Sequence, residues 1–507
     1  MGFLGILEDK VLLHVPGTVT LDENPANTHI PTDGMKLGTG KNSHIVLVPQ
    51  PSNDPNDPLN WPAWKKAIVT IITGFGTIIF GAVMNPLLNA VSVVIANDYN
   101  VTVSKVTLLA GYQTLITAGT APLVSAISKK HGRRSISIFA SLSGLVGNIV
   151  GSATKDYTGL VAARVVQGLS VAAYEALFYV TIGDIYFVHK RGFYVAIATF
   201  ILAAVSNLTS VICGAISQSL GWRYIFRIFI PISALQLILQ FIFVPETAYR
   251  RDSRFDIDEL QVADSAQAKN KNTVGTHIEN MASQEIPQQK TIVQEMRIFT
   301  GVYTEENILK LVLGPFVVLL NPVITFATLA QSWFVGAFVS IAYCLNQIFL
   351  SPPYNLSTLG IGNLSIGPFL GGLLGLLLLG AINDPLIKFI SRRNHGVYEP
   401  EYRLLLSILS LAMPVGLIAF GYAVQHSLNL YLTAFSNGVA VFRTLAMITA
   451  TSSYLLDAYR SMSNEIFIIG MSVRSFILYT FSYLPITGRP DLVLWQSSLL
   501  LGIYRLG

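Results

Sequence analysis

The chain has 507 residues, of which 52% are hydrophobic and only 12% are charged, and its mean hydropathy is +0.54. A chain with so few polar residues cannot cover the surface of a soluble protein of this size. The composition therefore excludes an ordinary soluble protein and indicates a polytopic helical membrane protein. The formal net charge of +5 arises from short basic clusters between apolar runs, which is the pattern of cytosolic loops, so nucleic-acid binding is not expected.

Residues 1–64 are polar and rich in turn-forming residues, and they predict a cytosolic N-terminal tail. At its end Trp61 and Trp64 lie beside Lys65 and Lys66, and such aromatic and basic anchors are typical of a helix that enters the membrane from the cytosol. Six apolar runs then predict an N-terminal six-helix bundle over residues 65–244. Its spans are expected at about 67–96, 104–128, 135–153, 160–186 and 193–220, with a sixth that ends at PETAYRR.

Residues 245–310 are polar and predict a cytosolic linker with one or two surface helices. A second six-helix bundle is predicted over residues 311–507, with a basic loop that carries Lys388, Arg392 and Arg393 after its second span. The last apolar run is short, and both termini are cytosolic if it spans the membrane. The other predicted spans lie at about 321–350, 359–383, 404–424, 428–456 and 465–484.

The fourth run carries polar residues inside a segment long enough to span a bilayer. At 100° per residue, Arg164 and Glu175 return to nearly the same helical face, but about 16 Å of helical rise separates them. An ionised carboxylate near mid-bilayer costs at least roughly 2.5–3.5 kcal/mol, so Glu175 needs a partner, a proton or a cationic ligand. We predict that Glu175 carries a coupling proton and that Arg164 and Gln167 modulate its path. The alternative is a polar pair that only fixes helix packing.

Charged residues at the cytosolic ends of the predicted spans indicate a gate. We expect Asp184 to bridge to the basic loop after the second span, although an acid in interfacial water is the alternative. A matching group surrounds the loop between the tenth and eleventh spans. The predicted gate residues are Lys130, Arg133, Arg134, Asp184, Arg191, Asp457, Glu465 and Arg474.

Polar and aromatic residues inside other spans are candidates for the transport pathway, although buried amides often only bond a neighbouring helix. These cavity candidates are Asn85, Gln113, Tyr174, Asn207, Gln236, Asn346 and Gln347, with Tyr112 and Tyr343 as aromatic flanks. Arg443, inside the tenth span, is as consistent with snorkelling as with substrate contact. Two sequons, at Asn100 and Asn355, fall in the predicted outer loops and are possible glycosylation sites.

Several segments together resemble the fungal twelve-helix drug:proton antiporter family of the major facilitator superfamily. They are DPLNWPAWKK, KKHGRR, RVVQG, GDIYFVHKRG, GWRYIF, PETAYRR, PPYNLS and YLLDAY, with Arg474 downstream. The resemblance implies two six-helix bundles, about twelve transmembrane helices, around a central cavity. The chain departs from the family in two places: Lys129 stands where the family loop has an aspartate, and only Gly214 remains of the fifth-helix signature G-P-x-x-G-G.

The resulting hypothesis is an all-α membrane protein that exports small hydrophobic or cationic organic molecules in exchange for protons. The alternatives are import of a polyamine-like nutrient and a membrane sensor without transport. The sequence has no metal-ligand cluster, nucleophile elbow or phosphate loop, and Cys213 and Cys344 lie in apolar segments, so we predict neither an enzyme nor a cofactor. We expect a monomer in the plasma membrane, with the vacuolar membrane as the alternative, whose partners are lipid, protons and a small organic substrate.

Overall fold

The computed structural model describes residues 19–20, 51–52, 54–187, 194, 197–249, 290–299, 301–350, 354–393, 397–426, 429–459 and 462–483. Most of this part is helical. A short antiparallel pairing joins β1 (Val19–Thr20) to β2 (Val397–Tyr398), with Val19 opposite Tyr398. Nine helices of the described part are long and apolar enough to cross a membrane.

The N-terminal bundle follows the hydropathy pattern closely, because each apolar run of about 20 residues folds into a helix whose backbone groups are paired internally. Lys129 and Lys130 lie at the end of its second span, and Arg133 and Arg134 lie at the start of its third. We call this side of the molecule the basic end and the opposite side the outer end. The helices are α1 (Ala63–Val83), α2 (Ser92–Asp98), α3 (Val103–His131), α4 (Arg133–Ala153), α5 (Tyr157–Ile185), α6 (Ile197–Leu220) and α7 (Arg223–Phe243).

The first predicted span is broken, contrary to the expectation of one helix over residues 67–96. The last part of α1, Thr77–Val83, has π-helical geometry, and the chain then leaves the helix before a short turn at Asn89–Val91 and α2. Pro86 explains the break, because proline lacks the amide hydrogen that would continue the helical ladder. The interruption leaves main-chain carbonyls in the membrane interior that need donors from elsewhere.

The C-terminal bundle repeats the plan with irregular helix starts. The eighth predicted span divides into two helices and reaches Arg393, so the basic residues that the sequence placed in a loop belong to the helix end. A 3₁₀ helix, Pro400–Ala412, leads directly into the ninth span. The twelfth predicted span lies outside the described residues. The helices are α8 (Ile308–Val318), α9 (Pro322–Phe349), α10 (Thr358–Leu364), α11 (Ile366–Arg393), α12 (Met413–Gln425), α13 (Leu430–Ala458) and α14 (Ser463–Tyr483).

The two bundles pack against each other along two seams. One seam joins α3 to α14, and the other joins α6 to α10 and α11. The largest buried apolar cluster lies within the N-terminal bundle around Phe80, Met84 and Phe226, whereas large apolar side chains such as Phe139 and Phe326 are exposed on the outer surface that faces lipid.

The described end of the predicted linker lies across the basic end of the N-terminal bundle. Lys65 forms an ion pair of 2.7 Å with Glu295, and the Tyr303 amide donates to the Lys130 carbonyl at 2.9 Å. The chain then enters α8, which contacts both α3 and α14. Most of the predicted linker, residues 250–289, lies outside the described residues.

Candidate coupling site between the bundles

Glu175 lies on α5 at the α3–α14 seam, where the two bundles meet. Its side chain is buried, with 6% of its surface exposed, and Arg474 of α14 donates from Nη2 to Glu175 Oε2 at 2.6 Å. These two residues are 299 positions apart in the chain and belong to different bundles. The buried carboxylate therefore has a charge partner, and the partner comes from the opposite bundle.

Closely packed groups adjoin this ion pair. At the same depth Ala121, Ala172 and Ala176 form a small apolar cluster with Met471. Toward the basic end the rings of Tyr179 and Phe467 lie 4.5 Å apart, centroid to centroid. The seam ends in a second ion pair between the bundles, in which Lys129 Nζ lies 2.5 Å from Glu465 Oε1. The basic end is therefore closed by two ion pairs with an aromatic contact between them.

The predicted gate in the second half requires a correction at Arg474. The sequence grouped Arg474 with Asp457 and Glu465, yet Arg474 lies at the middle of α14, about 13 Å of helical rise from Glu465, and binds Glu175 instead. Glu465 at the helix start does contact the opposite bundle. Asp457 pairs with Arg403 within its own bundle, so it does not join the two halves.

The predicted gate in the first half consists of contacts inside the N-terminal bundle. Arg133 Nε lies 3.0 Å from Asp184 Oδ2, and Thr247 donates to the same oxygen at 3.3 Å. Lys130 Nζ donates to the Glu306 carbonyl at 3.4 Å, within the linker. Arg191 lies outside the described residues. These contacts fix the ends of α4 and α5 relative to each other rather than one bundle to the other.

Arg134 also departs from its predicted role as a gate. Its side chain is almost fully buried and donates to the carbonyls of Phe241, Val244 and Met296. The carbonyls at the end of α7 have no partner within the helix, so a buried guanidinium satisfies them. Arg134 therefore attaches the linker and α7 to α4.

Glu246 is a residue of this end that the sequence did not single out, although it lies in the PETAYRR segment. Its carboxylate accepts the Arg133 amide at 2.8 Å and the Arg134 amide at 3.2 Å, which places a negative charge on the N-terminus of α4. Gly132 precedes that helix with φ of +97°, and a Cβ there would lie 2.2 Å from Glu246 Oε2. The glycine thus permits both the backbone turn and the close carboxylate.

Arg164 and Gln167 belong to a polar chain in the outer half of the N-terminal bundle. Arg164 donates to the Met84 carbonyl at 2.9 Å and the Asn85 carbonyl at 3.1 Å, which are the carbonyls exposed by the break in helix 1. Arg164 also donates to Gln167 at 2.9 Å, and Gln167 donates to Asn148 at 2.9 Å. Arg164 is therefore built into the fold of the first span and does not contact Glu175.

The cavity candidates separate into different environments. Tyr174 was predicted to line the pathway, but it lies inside the N-terminal bundle, where its hydroxyl is 2.6 Å from the Ser141 hydroxyl and 3.4 Å from Gln236. Asn207 donates back to the Ala203 carbonyl of its own helix at 2.8 Å. Asn85 is half-buried at the break, and Gln113 is fully buried on α3, with its carbonyl oxygen facing Gly168 of α5. The side chains of Asn346 and Gln347 lie outside the described part.

The outer end is closed by backbone contacts between α6 and α10. A Cβ at Gly214 would lie 2.7 Å from the Thr358 carbonyl oxygen, and one at Gly362 would lie 2.7 Å from the Ser210 carbonyl oxygen. Gln218 also accepts the Leu359 amide at 3.2 Å. The two sequon asparagines, Asn100 and Asn355, are exposed at this end. The described conformation is therefore closed at both ends of the bundle interface.

Two bundles of spanning helices with a charged pair at their interface have the architecture of a membrane transport protein. The family model of the Major Facilitator Superfamily matches residues 67–504, and the chain belongs to that superfamily. It is accordingly not an enzyme. This confirms the predicted resemblance to the superfamily and the all-α, two-bundle fold.

The relatives found by sequence are fungal transporters. The chain is 24% identical to the uncharacterized MFS-type transporter C1271.10c of Schizosaccharomyces pombe, over 94% of this chain and 86% of that protein. It is 22% identical to Protein HOL1 of Saccharomyces cerevisiae, over 89% and 85% of the two chains. A shorter match, 31% identical over 50% of this chain and 35% of the other, is to the MFS antiporter QDR3 of Candida albicans.

Solved structures agree on the fold. The xylose transporter XylE from E. coli, in a partially occluded inward-open conformation, superposes with a TM-score of 0.56, covering 87% of this chain and 98% of that chain. The human organic anion transporter MFSD10 superposes with a TM-score of 0.50 over 87% and 98% of the two chains. Sequence identity is 14% and 16%, so these likenesses establish architecture alone.

Proposed function

We propose that this transporter couples the export of small organic molecules to protons, with Glu175 as the proton carrier. The observation that supports this proposal best is the 2.6 Å ion pair of Glu175 with Arg474 across the bundle interface. Breaking a buried ion pair by removing one partner typically costs about 3–5 kcal/mol. A free energy of this size is enough to determine whether the two bundles stay in contact at the depth of Glu175 and Arg474.

The proposed cycle follows from the charges of this pair. When a proton binds the Glu175 carboxylate, the negative charge that holds Arg474 disappears, while Arg474 keeps its own charge. The remaining closure at the basic end is then the Tyr179–Phe467 contact and the partly exposed Lys129–Glu465 pair, and exposed ion pairs contribute only about 0–1 kcal/mol. The basic end then opens and the proton leaves Glu175 on that side. The deprotonated carboxylate can bind Arg474 again, which closes the basic end.

Antiport is favoured over import of a polyamine-like solute by the number of available acids. Among side chains that the structure describes within the spans, Glu175 is the one carboxylate away from the helix ends, and Arg474 already occupies it. A solute with several ammonium groups needs several such partners. The relative QDR3, 31% identical over half of this chain, is named an antiporter.

The coupling step is tested without knowledge of the substrate by distance measurements in lipid nanodiscs. Spin labels are placed at Trp64 and Met462, which are exposed on opposite bundles at the basic end, in a background with Cys213 and Cys344 replaced by Ala. We expect the distance between the labels to lengthen as the pH falls. Glu175→Gln should show the long distance at every pH, because it lacks the charge that holds Arg474.

The matched control is Glu306→Gln, because Glu306 pairs with Lys310 on the surface at 2.8 Å, outside the bundle interface. This variant should keep the wild-type response to pH. A Glu175→Gln protein that responds to pH as the wild type does would refute the proton-carrier role.

The direction of transport is tested in proteoliposomes with a panel of fluorescent organic compounds under proton gradients of either polarity. Export by antiport requires compound movement against the direction of proton flow, whereas co-movement would establish symport. We also propose that the basic end faces the cytosol and that the protein resides in the plasma membrane. Fluorescence microscopy of a tagged full-length chain separates this location from the vacuolar membrane.

A further inference from the structure

Gln113 is a buried amide for which the described residues supply no hydrogen-bond partner. Its side chain is 0% exposed, and both Nε2 and Oε1 lack a partner within the described part of the chain. A buried donor or acceptor that loses its hydrogen bond to water without a replacement destabilises the fold. Such a group in the interior of a transporter indicates a position where another molecule supplies the missing partner.

A second unused donor lies on the facing helix. The two Nη groups of Arg164 donate hydrogen bonds to the first span and to Gln167. Its Nε is buried without a partner among the described residues. Gly168 lies one turn further along the same face of α5, and a Cβ there would be 2.8 Å from the Gln113 carbonyl oxygen. Gln113 and Arg164 therefore lie on contacting surfaces of α3 and α5, about one helical turn apart.

The opposite bundle reaches the same region, because α9 packs against the Asn89–Val91 turn that follows the break in the first span, and Tyr343 of α9 is buried. Cys213 on α6, within the N-terminal bundle, is also buried. Thr209, one turn from Cys213 on α6, has a buried hydroxyl without a partner in the described residues. Helices of both bundles thus pack near the break to which Arg164 donates, and Gln113 and Arg164 lie about 10–15 Å of helical rise below the outer starts of α3 and α5.

The charge and donor count of this place favour an anionic oxygen. Gln113 offers two N–H donors and one acceptor, and Arg164 Nε adds a third donor. Arg164 has no carboxylate partner among the described residues, and no acid lies in the outer half of any described span. A carboxylate accepts several charge-assisted bonds from such donors, whereas an ammonium group would face a buried like charge.

We propose that Gln113 and Arg164 form a binding site for the carboxylate of an organic acid substrate, in the outer half of the bundle interface and separate from the Glu175–Arg474 pair. This inference rests on the proposed transport function and names its substrate class. The two sites have different roles: the Gln113–Arg164 site binds the substrate, and Glu175 carries the proton.

Binding of three probes that share one ring system tests the charge preference: naphthoate, naphthamide and naphthylmethylammonium. Affinities are measured on the full-length protein in nanodiscs by scintillation proximity with radiolabelled probes. We expect naphthoate to bind at least about tenfold more tightly than the amide or the ammonium, as a hydrogen bond to a charged group is typically worth. Equal binding of the three probes would overturn the proposal.

Variants at Gln113 then locate the site. Gln113→Leu should weaken naphthoate about tenfold, and Gln113→Glu should reverse the preference toward naphthylmethylammonium, because it introduces a negative charge. The matched control is Gln240→Leu, since Gln240 is also fully buried but donates to Ser137 at 2.9 Å. Unchanged naphthoate affinity in both Gln113 variants would place binding elsewhere and refute the assignment.

Thermal unfolding separates a ligand site from a structural role. Removal of an amide that has no partner should leave the melting temperature of ligand-free Gln113→Leu equal to or above that of the wild type, whereas Gln240→Leu should lower it. A lower melting temperature in Gln113→Leu would indicate a structural amide and count against the site.

The same probes distinguish this inference from the proton-carrier proposal. In Glu175→Gln, naphthoate should still bind in preference to the other two probes, because Gln113 and Arg164 are unchanged. Selective naphthoate binding in a protein whose response to pH does not depend on Glu175 would sustain the site and refute the carrier. A Glu175-dependent response with no naphthoate preference would do the reverse.

Discussion

Lys129 Nζ lies 2.5 Å from Glu465 Oε1, and this pair joins the end of α3 in one bundle to the start of α14 in the other. The sequence resemblance led us to expect an aspartate at the position of Lys129, and the structure shows there a base with its own acidic partner. About a quarter of each side chain remains exposed, so solvent and salt screen the pair. It therefore contributes a weak closure at the surface of the basic end, in addition to the buried Glu175–Arg474 pair.

Removing the Lys129–Glu465 pair should loosen the basic end without abolishing closure. We expect Lys129→Gln and Glu465→Gln each to favour the open state by about 0.5–1 kcal/mol at low salt, with little effect at high salt. The populations of open and closed states from spin labels at Trp64 and Met462 give the measurement. The double variant should cost no more than either single variant, since both remove one interaction. Strictly additive effects would show that the two groups act separately.

Alanine at the two outer glycines should hold the outer end open. Gly214→Ala and Gly362→Ala each place a methyl group 2.7 Å from a carbonyl oxygen of the facing helix, so α6 and α10 must separate. Replacing glycine by alanine inside a helix ordinarily stabilises the helix by about 0.5–1 kcal/mol. A less stable closed state would therefore reflect the contact between the helices and not helix propensity. Labels at Leu220 and Tyr431, exposed at the outer end of opposite bundles, should move apart.

Gly119→Ala is the control for this experiment, because a Cβ at Gly119 has no described atom within 4 Å. It should leave the distance between the labels unchanged. If the three variants behave alike, the close approach of α6 and α10 does not determine closure of the outer end.

Hydropathy predicted the helices well because lipid imposes a simple rule on the backbone. The third span, expected over residues 135–153, is observed as Arg133–Ala153. The broken first span escaped that reasoning, since the whole run is apolar and window averages do not register the Asn85–Pro86 step. The dipeptide itself was the available signal, because the residue before a proline avoids the helical conformation.

The partners across the interface were out of reach of the sequence. Glu175 was identified by its cost in lipid, but nothing in one sequence relates it to Arg474, which is 299 positions away. Spacing arguments grouped Arg474 with its neighbours near Asp457 instead. In the same way, the sequence placed Arg164 beside the predicted proton path but did not reveal that it donates to the carbonyls of Met84 and Asn85. Long-range pairs need either a structure or correlated variation among homologues.

Acid should weaken a polar clamp at the outer end of the N-terminal bundle. Asp98 at the end of α2 accepts from the Trp222 indole at 3.0 Å and from Arg223 at 2.7 Å, and these bonds, the indole first, hold the pKa of Asp98 below its usual range. The charged form is therefore stabilised in the folded state. Its contribution is fully present above the unfolded pKa of about 3.9 and is lost as the pH falls through the lower folded value.

Asp98→Asn should consequently lower stability at neutral pH by about 0.5–1 kcal/mol, a modest amount because the side chain is partly exposed. The difference from the wild type should shrink as the pH falls below about 3.9. Thermal unfolding in detergent across this range gives the measurement. Asp156→Asn, at an exposed position of the same end, is the control and should match the wild type throughout. A wild-type curve for Asp98→Asn would show that the clamp does not stabilise the bundle.

The two outer sequons should carry N-linked glycans if the basic end faces the cytosol. Asn100 and Asn355 are both exposed, and both have left-handed backbone angles, φ of +51° and +48°, so they lie in turns that leave the side-chain amide accessible. Expression in a eukaryotic host should give a protein whose gel mobility increases on treatment with an endoglycosidase. Asn100→Gln and Asn355→Gln should each remove part of the shift, and the double variant should remove all of it.

Asn56→Gln, at the basic end and outside any sequon, is the control and should keep the full shift. An untreated wild type that migrates with the double variant would place these loops on the cytosolic side or show that neither sequon is used. A cysteine introduced at Tyr431 and probed with an impermeant thiol reagent in intact cells decides between those two results, because only an outer location permits labelling.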